Sequence, residues 1–471
     1  MRKIVSILVL LLLLCSCVDG ITKIGLDRLN WDQSLPSGDG IIFSGTAPQT
    51  TAGTLYSGSG TLKFGDMNIN MAMAGTNTGI NVEVYKAGNY IYAQNSLTGE
   101  MIASGASPAN DDSVLQTACN QGGTIFVHPG TYQDISITST NAFTLVGANK
   151  YHTVLMKPTD STCLDLDHPM ITVENIQIKG DANNADSSGY AIDVGDTNSG
   201  CVVSNVWIID VKNGVVASSD LHMSDSWITV GPSGGIGITI HNSNQYFTDV
   251  TVTGNYADNL KPFAGIYIAD TAGVWFNHCS VWFTNFGTVI GSSGNKCSAV
   301  FFHDTCVGDY STYYDLYILP DGTVMDCHFD NCWFGGVVAD DASGKNIVIL
   351  NTNSSVYITD SEILISDCQN IFVDGADTFV LQGCHLYTPN RFSTSYKSWA
   401  LIQNTNELII NSNVFKKSYD GSTGYVDVGL YLYNNANVIV TSNIMDIADV
   451  DQLVNGGNTR ERYDDNIPTI P

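Results

Sequence analysis

A repeat of short apolar strands is the feature that most constrains the fold of this chain. From about residue 140 to residue 450, each unit contains an apolar strand ending in Asn or Asp, a short turn, a second strand, one polar residue and a third strand. The units recur roughly every 20 to 30 residues, a spacing typical of solenoid proteins. One unit cannot bury its apolar side chains alone, so the pattern predicts stacked coils in which residues one repeat apart become neighbours. The clearest units are 191–208, 265–283, 370–387, 400–415 and 429–445.

A single polar residue separates the second and third strands of each unit. A side chain at such a tight corner can hydrogen-bond the backbone of the next coil, so a polar ladder is expected there. The predicted corner residues are Asn205, Asp225, Asp249, His278, Asp326, Asp360, Ser412 and Ser442. Alternation then predicts an inward stack of small side chains formed by Cys279, Cys327 and Cys384, with Ser361 in the intervening coil. A disulfide between adjacent coils is left open, whereas the absence of a Cys-x-x-Cys spacing argues against a zinc or iron–sulfur site.

The composition supports a folded, β-rich protein and excludes several classes of partner. Hydrophobic residues make up 44% of the 471 residues and charged residues only 14%, the reverse of a disordered chain. Asp and Glu total 46 against 19 Lys and Arg, for a net charge of −27. Such a surface argues against binding to nucleic acid or to anionic lipid, because both need clustered cations. A neutral or basic glycan suits this charge better than an anionic one.

The first 17 residues have the features of a signal peptide. Arg2 and Lys3 precede an apolar run, Ile4 to Leu14, that is about half the length needed to cross a bilayer as a helix. The residues Leu14 to Cys17 resemble a bacterial lipobox, which implies lipidation at Cys17; the alternative is ordinary cleavage near Cys17 without lipid. Either way we expect an extracellular, cell-surface or virion location, with membrane contact only through this segment.

Residues 18–107 form a region rich in Gly, Ser and Thr, in which we expect β-hairpins that serve attachment or head binding. The stretch 47–64, with Leu55-Tyr56 and then Gly60 to Phe64, resembles a short element of phage tail and other virion proteins. That resemblance implies a virion protein, whereas the residues themselves predict a hairpin. A second strand pair is expected between Ile80 and Tyr92.

The segment 110–138 predicts a short helix followed by a strand. Asn110 or Asp111 can cap a helix with Val114, Leu115 and Ala118 on its apolar face. Gly122 and Gly123 end the helix, and the strand Thr124 to Val127 follows. This opening resembles the start of the pectate-lyase-like superfamily of right-handed parallel β-helices, to which tailspikes are similar. The resemblance implies an all-β solenoid over 108–455 with an N-terminal capping helix and a polar tail at 456–471; by analogy with tailspikes, a homotrimer is expected.

In this superfamily, ligand sites usually lie on the outer face of the first strand of each coil. Alternation predicts one outward column of Asp193, Thr239, Tyr267, Phe301, Phe372 and Tyr431, and a second of His241, Ala269, His303, Asn351, Asp374 and Tyr433. We expect Tyr267, Phe301 and Phe372 to form a platform for sugar rings, with His241 binding hydroxyl groups. The alternative is that a loop or a neighbouring subunit covers these aromatic side chains.

Carboxylates at the strand ends suggest hydrolysis of a polysaccharide. Asp270 and Asp304 are expected on neighbouring coils, with Asp374 as a third candidate and His303 as a proton carrier. A lyase of the pectate type would need a cationic side chain and calcium. No Arg occurs between Arg28 and Arg391, and no Lys is expected in the outward columns. Calcium is left open, and no other cofactor is expected.

Familiar motifs of related enzymes are missing from the chain. The Asn-Thr-Asp, Gly-His-Gly and Arg-Ile-Lys motifs of polygalacturonase-type enzymes do not occur, and Asp340-Asp341 alone resembles their paired aspartates. On the third strand, His328, Glu362 and His385 are weak candidates for a transition-metal site, the alternative being a solvated polar face. Trp207 and Trp227 are expected to stack outward on the same strand.

Two main hypotheses follow for the function. The first is an exported or virion-surface β-helix that recognises polysaccharide, with depolymerisation left open. The second is a non-catalytic adhesin or structural spike that uses the β-helix as a stiff scaffold. A lipid-anchored envelope protein without any glycan role is a third. Exposed aromatic side chains beside convergent carboxylates favour the first, whereas aromatic side chains buried between subunits favour the second.

Overall fold

The computed structural model describes most of the chain beyond residue 78. It describes the backbone of 55–58, 61–64 and 67–69, and the residues 79–180, 188–196, 200–231, 234–242, 244–256, 259–337, 344–364, 369–387, 398–416, 428–445, 451–464 and 467–468. The predicted signal peptide with Cys17, and the pair Asp340-Asp341, lie outside the described residues.

The chain divides into two compact units, Met1–Gly79 and Ile80–Pro471. This division differs from the boundary expected between residues 107 and 108. In the first unit, the strands Leu55–Gly58, Thr61–Phe64 and Met67–Ile69 form an antiparallel sheet. Leu55 pairs with Phe64 and Gly58 with Thr61, which confirms the predicted hairpin.

The second unit is a right-handed parallel β-helix, as predicted. Each coil contributes one strand to each of three parallel sheets, numbered here so that from Ile137 onward the chain passes through sheet 1, sheet 2 and sheet 3 in each coil. Sheet 1 contains Ile137–Thr138, Leu164–Asp165, Ile192–Val194, Asn213–Ala217, Ile236–His241, Ala264–Asp270, Phe286–Ile290, Tyr314–Ile318, Lys345–Ile349, Gln369–Asp374, Ser398–Gln403, Val428–Tyr433 and Asp451–Gly456.

Sheets 2 and 3 follow the same stacking. Sheet 2 contains Gly123–Val127, Phe143–Gly147, Thr172–Glu174, Cys201–Ser204, Leu221–Ser224, Gln245–Thr248, Val274–Asn277, Lys296–His303, Thr323–Asp330, Ser354–Thr359, Thr378–Gln382, Glu407–Asn411, Val438–Thr441 and Arg462–Asp464. Sheet 3 contains Gly130–Tyr132, Thr153–Met156, Gln177–Lys179, Trp207–Val211, Trp227–Val230, Thr251–Gly254, Ser280–Trp282, Cys306–Gly308, Trp333–Phe334, Glu362–Ile363, His385–Tyr387, Val414–Lys416, Ile444–Met445 and Ile467–Pro468.

The N-terminal end of the β-helix is capped by a helix and by antiparallel strands. The helix α1 spans Asp111–Asn120 and buries Val114, Leu115 and Ala118, as the sequence predicts. The strands Ile80–Ala87, Tyr90–Asn95 and Met101–Ala106 extend sheet 2, since the first of them pairs in parallel with Gly123–Val127. They cover a row of backbone groups that would otherwise be open to pairing with another chain. Within the described part of the chain, no helix is both long and apolar enough to cross a bilayer.

The corner between sheets 2 and 3 repeats in a left-handed backbone conformation. The corner residues are Asn175, Asn205, Asp225, Asp249, His278, Asp304, Asn331, Asp360, Gly383, Ser412 and Ser442, all with positive φ. Each donates its backbone N–H to a carbonyl of the next coil, as Asp304 does to Asp330 at 3.1 Å. Asn, Asp and Gly tolerate this conformation best, which explains the polar spacing of the repeat. The predicted corner at Asp326 is wrong, because Asp326 lies in an irregular part of Thr323–Asp330 and Asn331 forms the corner.

The residue after each corner points into the coil and forms a second, buried ladder. The backbone N–H of Cys384 donates to Asn413 Oδ1 at 2.9 Å, and that of Asn413 to Asn443 Oδ1 at 3.0 Å. Cys279 and Cys384 occupy this position as predicted, whereas the third cysteine there is Cys332 rather than Cys327. Cys327 is buried within a sheet-2 strand. The cysteines in the described residues are free thiols.

A buried carboxyl group lies in the sheet-1 strand Tyr314–Ile318. Asp315 is fully buried; its Oδ2 accepts hydrogen bonds from Asn346 Nδ2 at 2.8 Å and from the Gly336 backbone N–H at 3.3 Å. Its Oδ1 has no hydrogen-bond partner in the described residues. Burial raises the pKa of Asp315 to about 7, although the hydrogen bonds from Asn346 and Gly336 oppose this rise. The protonated acid therefore suits this position better than the carboxylate.

The raised pKa of Asp315 predicts a pH-dependent stability. Because the folded state binds this proton more tightly than the unfolded state, the stabilisation is present below about pH 4 and is lost as the pH rises to about 7, at about 1.4 kcal/mol per pH unit. Asp315→Asn supplies a permanently neutral side chain of the same shape. We expect the variant to gain stability relative to the native protein as the pH rises through this window, measured by denaturant unfolding. Asp321→Asn, at an exposed aspartate, is the control; a stability difference that does not change with pH would contradict the assignment.

Candidate functional site

A surface cleft follows the ends of the sheet-1 strands. It has a volume of about 660 Å³ and is called cleft A; its lining residues are Asp196, Ser218, His241, Asn242, Asp270, Thr271, Ala272, Lys296 and Ser298. These residues come from five consecutive coils. Since coils lie about 4.8 Å apart, cleft A extends roughly 19 Å along the axis of the β-helix.

Local backbone geometry places the charged groups of cleft A. A register shift at the end of Ile236–His241 sets His241 against Asp270 of the next coil. The Thr271 N–H donates to the Lys296 carbonyl at 3.1 Å, and the Ser298 N–H to the Thr271 carbonyl at 2.9 Å, which fixes the start of Lys296–His303 beside Asp270. Within the described residues, the side chains of His241, Asp270 and Lys296 make no hydrogen bond or ion pair. They are therefore available to a ligand.

Two predicted site residues, Asp270 and His241, lie in cleft A. Tyr267 lies on the same strand as Asp270, half-buried and outward-facing, and pairs with Thr239 of the previous coil. No lysine was expected in the outward columns, and Lys296, which lines cleft A, lies outside those columns at the start of a sheet-2 strand. The sequence does not reveal this position, because its pattern makes Lys296–His303 look like the first strand of a coil, whereas the strand belongs to sheet 2 and Lys296 lies at its start, beside the end of sheet 1.

Three other predicted residues lie away from cleft A for the same reason. Phe301 and His303 belong to the sheet-2 strand Lys296–His303, and Asp304 is the corner that follows it. The sheet-1 strand of that coil is Phe286–Ile290, whose short apolar run carries no polar end. Asp270 and Asp304 do lie on neighbouring coils, as predicted, but Asp270 precedes the sheet-2 strand of its coil and Asp304 follows that of the next coil, so the two do not form the predicted pair. The placement of Phe301 in one column with Tyr267 and Phe372 is wrong.

Phe301 belongs to an aromatic ladder on the outer face of sheet 2. The ladder consists of His222, Tyr246, Trp275, Phe301, His328 and Tyr357. Successive rings lie 4.6 to 5.6 Å apart between centroids, and those from Tyr246 onward lie within 18° of parallel. Each inner ring covers the faces of its neighbours, so mainly ring edges face the solvent. This geometry does not provide the broad ring face that a sugar platform needs.

His328 is thereby separated from its predicted partners. Glu362 and His385 pair on sheet 3, whereas His328 lies in the aromatic ladder, so the three residues do not form the predicted metal site. In the described residues, no group of three or more His, Cys, Asp or Glu side chains is arranged to hold a metal ion. Trp207 and Trp227 do pair on sheet 3, as predicted.

His303 and Asp304 lie instead in a surface network along the corner. His303 Nδ1 lies 3.0 Å from Asp330 Oδ2, and its Nε2 lies 3.2 Å from Asp304 Oδ2. His278 Nε2 lies at the same distance from Asp304 Oδ2. The hydrogen bond from Asn331 lowers the pKa of Asp304, and the neighbouring His303 and His278 lower it further. The catalytic roles of His303 and Asp304 stay predictions. Both side chains already have hydrogen-bond or ion-pair partners within this network.

Asp374 and Phe372 lie on sheet 1, several coils beyond cleft A. Asp374 Oδ1 accepts a hydrogen bond from Asn404 Nδ2 at 2.7 Å. Phe372 lies under Lys345 Nζ, 5.7 Å from the ring centroid. Their predicted roles in catalysis and in sugar binding also stay predictions.

A pair of neighbouring aspartates near cleft A can be recognised only once the pairing of the sheet-1 strands is known. Asp165 and Asp193 are register partners on adjacent sheet-1 strands, and Asp193 lies three residues before Asp196 of cleft A. Burial, together with the negative charges of Asp165 and Asp167, raises the pKa of Asp193 to about 6. Asp193 was recognised in the sequence as outward-facing, but Asp165 falls in a coil whose first strand is only two residues long.

A smaller cleft lies at the corner between sheets 2 and 3. It has a volume of about 320 Å³ and is called cleft B; its lining residues are Asn331, Cys332, Trp333, Asp360, Ser361, Glu362, Gly383 and His385. These residues come from three consecutive coils, each of which supplies the corner and the positions after it. Cleft B therefore contains two of the three residues considered for metal binding.

Comparisons with known proteins give only distant similarity to solved structures. No family model and no curated protein matches the chain. Among solved structures, the mannuronan C-5 epimerase AlgE6 A-module of Azotobacter vinelandii is 13% identical over 76% of this chain and 95% of its own, with a TM-score of 0.35. A GH87 alpha-1,3-glucanase catalytic domain in complex with nigerose is 11% identical over 75% and 63%, with a TM-score of 0.30. The pre-mature bacteriophage phi29 gene product 12 is 12% identical over 75% and 55%, with a TM-score of 0.36.

The coupling between Asp165 and Asp193 can be tested directly. Asp165→Asn removes a negative charge beside Asp193, so the pKa of Asp193 should fall below about 6, while burial should keep it above its ordinary value. Carbon-13 NMR of Asp-labelled protein would follow the titration, with Asp193→Asn identifying the signal. Asp225→Asn, at an exposed corner, should leave the titration unchanged. An unchanged midpoint in Asp165→Asn would mean that the two carboxyl groups do not interact.

Proposed function

We propose that this protein binds a polysaccharide that lies lengthwise in cleft A. The supporting observation is that five consecutive coils line one continuous cleft with carboxylate, imidazole, ammonium, hydroxyl and amide groups. A sugar chain presents hydroxyl groups along its whole length, and such groups hydrogen-bond best to an array of this mixed donor and acceptor character. The unpaired side chains of His241, Asp270 and Lys296 can make these bonds without breaking bonds of their own.

The charge of the protein limits the kind of glycan. With a net charge of −27, the surface repels densely anionic chains and attracts neutral or cationic ones. We therefore propose a neutral or amine-bearing polysaccharide as the ligand. Export to the cell exterior or a virion surface is part of this proposal, because polysaccharides of this kind are met there and the first residues have signal-peptide character.

Binding in cleft A predicts that its charged residues control affinity. We expect Asp270→Asn, His241→Ala and Lys296→Met each to weaken binding by about tenfold, because each removes a hydrogen bond to a charged group or to imidazole. A glycan array would identify a bound chain, and calorimetry would then measure the affinities. Asp321→Asn, outside both clefts, is the control. Unchanged affinity in all three variants, with unfolding midpoints also unchanged, would contradict binding in cleft A.

Cleavage of the bound chain is the second candidate function. The observation that favours it is that a carboxylate and an ammonium, Asp270 and Lys296, line one cleft and are unpaired within the described residues. Such a pair can supply an acid and a base on either side of a glycosidic bond. Incubation with the bound glycan would give new reducing ends if the chain is hydrolysed. Wild-type protein that binds the glycan without releasing new reducing ends would be a binding module.

A further inference from the structure

Cleft B exists because one corner lacks a side chain. Gly383 is the glycine among the corner residues identified above, and the corners on either side of it are Asp360 and Ser412. A Cβ at Gly383 would collide with Asp360 Oδ1, so the Asp360 carboxylate leans into the space that every side-chain-bearing corner fills. The result is a notch in an otherwise continuous ladder.

Three ionisable side chains of cleft B have no partner in the described part of the chain, unlike the nearby Asp304 and Asp330. Asp304 and Asp330 are held by histidines, as described above. Within the described residues, the side chains of Asp360, Glu362 and His385 make no hydrogen bond or ion pair. Two carboxylates and an imidazole therefore face a cavity without a counter-charge, since none of the residues lining cleft B is Lys or Arg.

An aromatic side chain completes the cleft. Trp333 is the register partner of Glu362, and Glu362 is in turn the partner of His385, so the three side chains form one row on sheet 3. An ammonium group can donate hydrogen bonds to both carboxylates and also lie against the indole ring, a combination that a neutral hydroxyl group exploits less well.

We propose that cleft B binds the primary ammonium group of an amino sugar. The inference deepens the proposed function, on which its sugar component rests, by specifying a glycan with free amino groups. Clefts A and B lie on opposite edges of sheet 2, and the last coil of cleft A, with Lys296, is followed directly by the first coil of cleft B, with Asn331. The carboxylates select the ammonium by charge, and Trp333 packs against the carbon that bears it.

The proposal predicts selectivity between an amine and its acetylated form. We expect wild-type protein to bind a glucosamine tetramer about tenfold or more tightly than the fully N-acetylated tetramer, because acetylation removes the charge. Calorimetry in mildly acidic buffer, where the amine is protonated, would measure both affinities. Glu362→Gln and Asp360→Asn, both near-isosteric, should abolish this preference.

Control variants separate this inference from the proposed function. Glu407→Gln, at an exposed sheet-2 glutamate outside both clefts, should keep the preference for the amine. Asp270→Asn should weaken binding of the glycan found for cleft A and leave the preference at cleft B intact. Equal affinity for the two tetramers in the wild type, or a preference that survives both Glu362→Gln and Asp360→Asn, would overturn the amine site while leaving cleft A untouched.

Discussion

The hydrogen bonds between successive coils are the constraint on which this structure depends. Parallel pairing fixes adjacent strands at a spacing of about 4.8 Å, so every side chain meets the side chain at the same position of the next coil. The left-handed corner between sheets 2 and 3 restores the register in each turn, since its N–H bonds the next coil directly, as Asp304 does with Asp330. Cleft A, cleft B and the aromatic ladder are all consequences of this vertical repetition.

Repetition also explains why similar residues have different chemistry. Asp304, Asp360 and Asp315 are all aspartates on or near turns. Asp304 is held by His303 and His278 in a surface network, Asp360 leans over a glycine and is unpaired within the described residues, and Asp315 is buried with a pKa of about 7. The type of residue sets what the group can do, whereas the neighbour one coil away decides which protonation state and which partner it has.

The fold could be predicted from the sequence because corner and alternation patterns are local. The helix α1, the hairpin at Leu55 to Phe64 and the ladder from Asn205 to Ser442 follow from capping residues, turn residues and a period of two along each strand. The candidate site was less accessible, because it depends on register. The apolar strand Phe286–Ile290 carries no polar end, and the long strand Lys296–His303 contains an internal residue of positive φ, Ala299. The sequence pattern therefore took Lys296–His303, the sheet-2 strand of this coil, for its first strand. This misassignment moved Phe301, His303 and Asp304 to the wrong face and concealed Lys296.

The corner ladder has a consequence for how such a protein can change in length. Because each coil presents the same bonding edge to the coils above and below, loss or duplication of one whole coil leaves the remaining edges complementary, whereas removal of a few residues within a coil does not. Lys296 and Asn331 lie on consecutive coils. Insertion or loss of whole coils between them can therefore change their distance along the axis only in steps of about 4.8 Å. Two side chains at equivalent positions of different coils are therefore separated along the axis by a whole multiple of the coil spacing, about 4.8 Å.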